Sequence, residues 1–572
     1  MNHPAARLAP GVAALAGYRR DWLRGDLIAG VTVAAYLIPQ VMAYSTIAGL
    51  PPVTGLWAIP PALALYAVFG SSRQLSVGPE STTALMTAIV VAPLAAADPA
   101  RYARLAAALA VMVGLLALVC WALRFGFVAD LLSKPILVGF MAGVALIMIS
   151  GQLGKLTGAR VTGDEFGPQV MSFFRGLSQV HAGTVVFGAA VLAFLFIVRR
   201  RWPTAPAPLL AVALATLAVA AFGLERHGIK VVGPIPSGLP GLSVPHLSDL
   251  RELAFPAFGV LLVGYTDNVL TGRSFAARRD DTIDANQELL ALGTANIGAG
   301  LLQGFPVSSS GSRTALGDAA GSRTQLFSLV SLASVLATLF FLGPVLSRFP
   351  TAALGAIVVY AAVQLIDVQG FRRLAAFRRN ELLLALAALA GVLALDVLYG
   401  VLLAVGLSVA EMLARVARPH DAIQGIVPGL AGMHDVDDYP QARTVPGLLV
   451  YRYDSPLFFA NAEDFRRRAL ASVDSQAAGR DGAPVAWFVL NAESNVEVDI
   501  TALEAVEALR RDLERRGVVF AMARVKQDLL DDLEAFGLVG KVGRDRIFPT
   551  LPTAVAAYEE WRKAHPAAEP PS

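Results

Sequence analysis

A polar stretch within a long apolar part of the chain constrains the fold most. Residues 304–316 read GFPVSSSGSRTAL and place four serines and one arginine among apolar segments. An arginine at membrane depth is costly, so we expect it to face a cavity and to have a function. Pro306 followed by small polar residues predicts a helix that begins inside the membrane. Its unpaired first N–H groups and its dipole would bind an anion, and Arg313 would add a positive charge.

The first half of the chain contains a similar stretch. Residues 76–86 read SVGPESTTALM, and aligning Thr83 with Thr314 places Ser81 on Ser312. Interrupted apolar segments at matching places in two halves indicate a transporter with inverted repeats and a binding site near the membrane midplane. The alternative is that two unrelated helices both start at Gly and Pro residues.

The composition excludes several classes of protein. Of the 572 residues, 55% are hydrophobic and 16% are charged, against about 25% charged residues in soluble domains. This predicts an integral membrane protein whose surroundings are the lipid bilayer. The net charge of +3 indicates no nucleic-acid partner. The single cysteine, Cys120, excludes an intramolecular disulfide and a cysteine metal cluster.

The chain carries none of the short motifs that signal nucleotide binding, metalloprotease or hydrolase chemistry. We therefore predict no enzyme activity, no cofactor and no metal. ATP-driven transport by this chain is not expected.

Apolar segments, about fourteen in two groups of about seven, lie between Leu27 and Ala410. The last two are predicted at Leu382–Leu395 and Leu398–Ala410. A cytoplasmic N-terminus places most arginine-rich loops, such as 199–201, on the inside. An odd number of segments per half makes the two halves inverted.

These segments predict a multi-pass protein of the cell membrane with both termini in the cytoplasm. After Arg418, alternating strands and helices predict a small soluble α/β domain, and the Pro-rich end predicts disorder. The expected divisions are a cytoplasmic segment at 1–25, a transmembrane domain at 26–418 with repeats at about 26–222 and 254–418, a linker at 419–444, the α/β domain at 445–566 and a disordered tail at 567–572.

Asp267 is a second costly group, because it lies within the eighth apolar segment. Thr271 follows one helical turn later on the same face. One interpretation is a structural ion pair with Arg313. The other is a coupling site that binds Na⁺ or H⁺ beside the anion.

Glu80 lies at the start of the helix predicted within residues 76–86 and has two interpretations. A carboxylate at a helix N-terminus is stabilised by the dipole, so Glu80 could be a simple cap. Alternatively, Glu80 competes with the bound anion, and its protonation couples anion entry to H⁺. Gln40 and Tyr44 share a helix face and either line the same cavity or only pack in the helix bundle.

These motifs resemble those of the sulfate permease family, also called the SulP or solute-carrier-26 family. The stretches IPQVMAYSTIAGLPPVTGLW, QLSVGPESTTALM, NQELLALGTANIGAG and GFPVSSSGSRTAL occur in the order found in that family. The resemblance implies an α-helical polytopic membrane protein with about fourteen transmembrane segments as an inverted repeat. The implied architecture is uracil-permease-like, with core and gate domains, and a small cytoplasmic α/β STAS domain follows.

The resemblance also implies secondary active transport of an inorganic anion, sulfate before others, coupled to H⁺ or Na⁺. The anion would lie between the N-termini of the third and tenth segments. By motif, the residues carried over for the anion are Gln40, Tyr44, Glu80, Ser81, Thr82, Ser309, Ser310, Ser312 and Arg313. Asp267, with Thr271, takes the place of an acidic residue linked to cation coupling.

The C-terminal domain resembles the STAS domain of anti-sigma-factor antagonists. Thr501, in the sequence Asp-Ile-Thr-Ala, matches the position that is phosphorylated in an Asp-Ser-Ser-Gly motif. We also expect Thr501 to be the N-cap of a helix. In the family this domain serves homodimerisation, trafficking or regulation by a protein partner.

Two other functions stay open. Serine-lined helix ends would also accept bicarbonate, chloride or a dicarboxylate, in a transporter, an exchanger or a passive anion channel on the same fold. A membrane-anchored signalling protein with a STAS domain is the alternative from another class.

Overall fold

The structure is a computed structural model that describes residues 8–96, 98–130, 133–162, 166–203, 205–279, 281–477 and 484–565. It divides into two compact units, Met1–Ser408 and Val409–Ser572. The first unit is built of helices, and the second contains a sheet. The predicted disordered tail at 567–572 lies outside the described residues.

Two short strands and most of the helices form the first unit. Its first half contains α1 (Pro10–Ala16), α2 (Leu23–Ile47), α3 (Pro52–Phe69), β1 (Val77–Gly78), α4 (Ser81–Leu94), α5 (Pro99–Ala122), α6 (Lys134–Thr157), α7 (Phe166–Arg175), α8 (Ala182–Arg201) and α9 (Ala207–Phe222). Its second half contains α10 (Leu247–Ala276), α11 (Ala285–Leu301), β2 (Ser308–Ser309), α12 (Gly311–Ala319), α13 (Leu326–Phe341), α14 (Gly343–Leu346), α15 (Thr351–Leu365), α16 (Val368–Phe377) and most of α17 (Arg379–Ala417), whose last nine residues belong to the second unit.

Seven helices in the described part of the chain are long and apolar enough to span a membrane, and three more apolar helices are shorter. This confirms the predicted helical, polytopic membrane fold. Helix α11 packs between α3 and α5, and α13 packs along α2. A second group of helices forms around α15, which packs on α6 and α8.

The last two predicted segments, Leu382–Leu395 and Leu398–Ala410, fall within one helical run, α17. The chain nevertheless folds back inside it. A Cβ built on Gly400 would lie 2.8 Å from Cα of Val392, whereas residues eight apart in a straight helix are separated by about 12 Å. The run therefore consists of two arms that pack against each other.

Two amphipathic helices of ten residues each were not predicted. Helix α7 follows α6, which is the fifth expected segment, and α16 follows α15, which is the twelfth. They thus occupy corresponding places in the two halves, as an inverted repeat requires. Because each is short and half polar, neither produces the continuous apolar signal used to find the long segments.

The second unit is an α/β domain with a six-stranded sheet in the order β4-β3-β5-β6-β7-β8. Strands β5 to β8 are parallel, and β3 runs antiparallel to both of its neighbours. The strands are β3 (Asp421–Ile426), β4 (Met433–Asp435), β5 (Leu448–Tyr453), β6 (Trp487–Asn491), β7 (Val519–Ala523) and β8 (Ile547–Phe548). The helices are α18 (Ala462–Ala477), α19 (Ile500–Arg515), α20 (Gln527–Ala535), α21 (Leu538–Val542) and α22 (Leu551–Ala564).

Both faces of this sheet are covered. Tyr451 and Tyr453 point to a core with Phe465 of α18, while Val450 points to the opposite core with Tyr558 of α22. Strands β3 and β4 lie in the segment that was predicted as a linker, 419–444. They join the sheet because Ala422 packs inward and the backbone of Gln424 pairs with that of Val450.

Candidate functional site

Two short helices, α4 and α12, meet head to head. We call them the half-helices. They have 14 and 9 residues, so each covers at most about 20 Å of a roughly 30 Å hydrocarbon layer. Just before them, β1 and β2 pair antiparallel, with Val77 opposite Ser309 and Gly78 opposite Ser308.

The pairing of β1 with β2, here called the ladder, agrees with the sequence alignment of the two halves. The alignment that places Thr83 on Thr314 places Val77 on Ser308 and Gly78 on Ser309. A twofold axis through the centre of the ladder relates the same residues. The two half-helices are therefore equivalent parts of an inverted repeat.

Buried amides fix the backbone in front of each half-helix. The side chain of Asn296 accepts a hydrogen bond from the Val307 N–H (2.9 Å) and donates one to the Val307 carbonyl (3.0 Å). The Gln325 amide donates to the carbonyls of Ser72 (2.8 Å) and Leu75 (3.0 Å). Irregular backbone at membrane depth needs such partners, because no water or lipid group can replace them.

The first turns of the two half-helices, residues 80–82 and 310–312, are here called the tips. The tip of α4 is capped by Glu80, whose carboxylate accepts from the Thr82 N–H (2.6 Å) and from the Ser81 hydroxyl. The tip of α12 is capped by Ser310, whose hydroxyl accepts from the Arg313 N–H (3.5 Å). The structure thus places Glu80 as a cap of its own helix.

A cavity of about 310 Å³ opens beside the tips. It is lined by Tyr36, Tyr44, Glu80, Ser81, Arg199, Asp267, Thr271, Ser309, Ser310, Gly311, Ser312, Ala315, Ala361, Gln364 and Leu365. Eight of the sequence-predicted site residues are therefore brought together around one space. Hydroxyl groups and carboxylates predominate on the side of the tips, while Arg199 and Gln364 lie on α8 and α15.

Arg313 does not line this cavity, although the sequence made it the central residue. Its side chain is completely buried. Nη1 donates to the Pro79 carbonyl (2.8 Å) and to Oε1 of Gln40 (3.3 Å), while Nε and Nη2 have no hydrogen-bond partner. Arg313 therefore links the second half-helix to the segment before the first one, behind the surface that a solute would contact.

Gln40 and Thr82 also lie behind the cavity surface. The Gln40 amide donates to the Tyr44 hydroxyl (2.8 Å), so Gln40 connects Arg313 to Tyr44, which does line the cavity. Thr82 contributes its backbone N–H to the cap made by Glu80. On this shared helix face, Tyr44 lines the cavity and Gln40 lies behind it, in contact with Arg313.

Asp267 and Thr271 both line the cavity from α10. The Ser309 hydroxyl donates to Oδ2 of Asp267 over 3.5 Å. Asp267 and Arg313 both belong to the described residues, and they form no ion pair with each other. The structural interpretation of Asp267 as the partner of Arg313 is therefore not supported.

Three polar residues of the cavity were not predicted from the sequence. Tyr36 lies two turns before Tyr44 on α2, and this spacing was a usable signal. Arg199 was counted only as a topology signal at the end of α8, and Gln364 is an isolated polar residue in apolar α15. Among the residues that the structure describes, no group of His, Cys, Asp or Glu side chains is arranged to hold a metal ion.

Thr501 is not a helix N-cap. Asp499 has this role, because its carboxylate accepts from the Ala502 N–H (2.8 Å), and it also accepts from the Phe459 N–H (2.8 Å). Thr501 lies in the first turn of α19 and is exposed. The stronger acceptor two residues earlier takes the cap position, so capping does not explain Thr501.

The chain is similar to known sulfate transporters. The chain is 60% identical over 556 residues to a probable sulfate transporter of Mycobacterium tuberculosis, covering 97% of this chain and 98% of that protein. It is 31% identical to sulfate transporter 3.1 of Arabidopsis thaliana, covering 94% of this chain and 85% of that protein.

The fold matches a solved structure of the murine solute carrier 26 family member A9 anion transporter in the inward-facing state. The TM-score is 0.88 at 23% identity, and the match covers 97% of this chain and 94% of that chain. This likeness concerns the fold.

Two family patterns cover most of the sequence. The sulfate permease family matches residues 23–388, and the STAS domain matches residues 439–554. The proteins of this family are transporters and not enzymes. The chain therefore belongs to the sulfate permease family, and it is an anion-transporting, multi-pass membrane protein with a C-terminal STAS domain.

Proposed function

We propose that this protein is a secondary active transporter that moves sulfate across the cell membrane together with H⁺ or Na⁺. The observation that carries the proposal is the pair of tips that face one cavity lined by hydroxyl groups. The names of the relatives, which are sulfate transporters from a bacterium and a plant, favour sulfate over other oxyanions.

The tips would bind the anion through their first-turn N–H groups and hydroxyls. Helix N-termini attract anions because their first N–H groups are unpaired and the dipole is positive there. Ser81 on one tip and Ser310 and Ser312 on the other line the same cavity. Arg313 would act from behind, since its buried charge lies next to Pro79 and has two unused donors.

Glu80 would compete with the anion for the tip of α4. Its carboxylate already accepts the hydrogen bonds that an oxyanion would take, from Thr82 and Ser81. None of the described cationic side chains forms an ion pair with it. Sulfate would therefore bind more readily when Glu80 is protonated or turned away, which would couple anion entry to H⁺.

Asp267 and Thr271 would form the cation-coupling site. Asp267 has no cationic partner among the described residues, so its charge is available to a proton or to Na⁺. Ser309 and Thr271 add oxygen atoms on the same side of the cavity. Hard cations such as Na⁺ prefer oxygen ligands of this kind.

Transport would require the tips to move relative to the wall formed by α8 and α15. The residues that flank the tip of α12 are tied to neighbouring helices: Val307 to α11, Ser308 to α10 and Arg313 to α2. Arg199, Ala361 and Gln364 belong to the other group of helices. We propose an elevator-like or rocking motion of the first group past the second. A homodimer, and a regulatory partner at the STAS domain or phosphorylation at Thr501, stay predictions.

The decisive experiment is uptake of labelled sulfate by liposomes that contain the purified protein. We expect accumulation above equilibrium when an inward H⁺ or Na⁺ gradient is imposed, and its loss when that gradient is dissipated. Competition by bicarbonate, chloride and a dicarboxylate ranks the substrates. Uptake that only reaches equilibrium under every gradient would indicate a passive channel, and no sulfate uptake at all would contradict the proposal.

A further inference from the structure

Glu288 is a buried carboxylate that the sequence analysis did not single out. It lies in the first turn of α11, inside the stretch NQELLALGTANIGAG, and its side chain has no exposed surface. None of the described cationic side chains pairs with it. A buried carboxylate without a counter-ion is costly unless hydrogen bonds satisfy it.

Donors from three separate segments satisfy Glu288. Its oxygens accept from the Tyr66 hydroxyl (3.0 Å) on α3, from both the N–H (2.9 Å) and the hydroxyl (2.7 Å) of Ser71, and from Nδ2 of Asn268 (2.7 Å) on α10. One side chain therefore joins the loop that leads to β1 and Glu80 to the helix that carries Asp267.

The hydrogen bond from Asn268 connects Glu288 to the residue next to Asp267. Asn268 directly follows Asp267, and successive side chains on a helix point about 100° apart. The Asn268 side chain is completely buried, and its Oδ1 has no hydrogen-bond partner. Its contact with Glu288 therefore helps to fix the rotation of this part of α10, together with the hydrogen bonds that the Tyr265 hydroxyl donates to the carbonyls of Gly126 (2.7 Å) and Ala285 (2.8 Å). This rotation sets the direction of Asp267 toward Ser309.

Asp26 provides a contrast within the same unit. It is also completely buried and lies in the first turn of α2. It accepts from the N–H of Arg323 (2.6 Å), from the N–H (3.2 Å) and hydroxyl (2.8 Å) of Thr324, and from the Tyr18 hydroxyl (3.2 Å). It joins α2 to the loop after α12, and none of these hydrogen-bond partners lines the cavity.

We propose that Glu288 is a positioning residue for cation coupling: it holds Asp267 toward the cavity through Asn268. The proposal rests on the coupling role assigned to Asp267 above. It differs from a purely structural role, because it predicts that the loss of Glu288 changes how the transporter responds to the coupling cation.

The first test compares Glu288→Gln with Asp26→Asn, since both remove one buried carboxylate and keep the side-chain size. In liposomes, we expect E288Q to raise the H⁺ or Na⁺ concentration for half-maximal sulfate uptake by about tenfold, as loss of an outer-shell partner commonly does. D26N should lower the melting temperature of the protein about as much as E288Q does, but it should leave the cation dependence of sulfate uptake unchanged. Equal cation dependence in E288Q, D26N and the unsubstituted protein would overturn the proposal.

A second test needs no transport. Cys120 is the only cysteine, so D267C in a C120A background reports the exposure of position 267 to a water-soluble maleimide. We expect labelling to slow several-fold when E288Q is added and to stay the same when D26N is added. Unchanged labelling in E288Q would overturn the positioning role. Changed labelling would support the positioning role even if the unsubstituted protein showed no cation-driven sulfate uptake, and that absence of uptake would contradict the proposed function.

Discussion

The two tips occupy equivalent places in the repeat, yet only the tip of α4 carries a charged side chain. The tip of α4 is capped by the carboxylate of Glu80, and the tip of α12 is capped by the neutral hydroxyl of Ser310. Arg313 follows on the second half-helix and reaches back to Pro79, next to Glu80. Duplication thus accounts for the shared backbone geometry, whereas the different side chains divide anion binding and its control between the two halves.

The largest expected effect is that of Arg313→Ala, which removes the buried positive charge of the second half-helix. The Pro79 carbonyl and Gln40 would lose a buried donor, and leaving a buried neutral acceptor unpaired costs about 1–3 kcal/mol. We expect sulfate uptake to fall by more than about 100-fold, while the protein still inserts into membranes. R313K keeps the positive charge but lacks the planar guanidinium with its several donors. Its sulfate uptake should lie between that of R313A and that of the unsubstituted protein. Normal uptake by R313A would remove Arg313 from the mechanism.

Asp267→Asn should have the next largest effect, because it separates anion binding from coupling. The amide keeps the shape of the side chain but cannot carry a proton or a charge at neutral pH. We expect sulfate to exchange across liposome membranes without accumulating under a cation gradient. Accumulation equal to that of the unsubstituted protein would place the coupling site elsewhere.

Glu80→Gln makes the two tips electrically alike. We expect sulfate uptake to lose most of its pH dependence, because the competing carboxylate is gone. The control is Asp98→Asn, which removes a carboxylate cap from α5, where Asp98 accepts from the Ala100 N–H (2.9 Å) outside the cavity. If E80Q and D98N show the same pH profile as the unsubstituted protein, Glu80 is only a helix cap.

Ser310→Ala is expected to have the smallest effect. Loss of an N-cap costs about 1 kcal/mol, which corresponds to about fivefold weaker sulfate binding if the cap also orients the tip. Thr550→Ala removes a hydroxyl cap from α22 in the STAS domain and should leave sulfate affinity unchanged. Equal affinities in the two variants would show that the cap of α12 does not affect the site.

The positions of both half-helices could be predicted from the sequence because their signals are local. Gly, Pro and Ser residues that interrupt apolar segments mark a helix start wherever they occur. The long helices and most of the STAS elements followed for the same reason, since each has a periodic or continuous apolar pattern.

The directions of individual side chains could not be predicted, because they depend on distant partners. Arg313 turns away from the cavity toward Pro79 and Gln40, which are far away in sequence. Glu288 looked like one charge at the start of an apolar helix, and only the fold shows that its donors are Tyr66, Ser71 and Asn268. Position along the chain was predictable, but rotation about the helix axis was not.

The ladder between β1 and β2 has a consequence for how this transporter can evolve. At the ladder itself the two halves are joined by main-chain groups, as in the bond from the Ser310 N–H to the Ser76 carbonyl (3.0 Å). Main-chain bonds of this kind survive most exchanges of side chains. Hydroxyl and carboxylate side chains around the anion can therefore change during evolution, and with them the anion that is bound, while the β1–β2 ladder is retained.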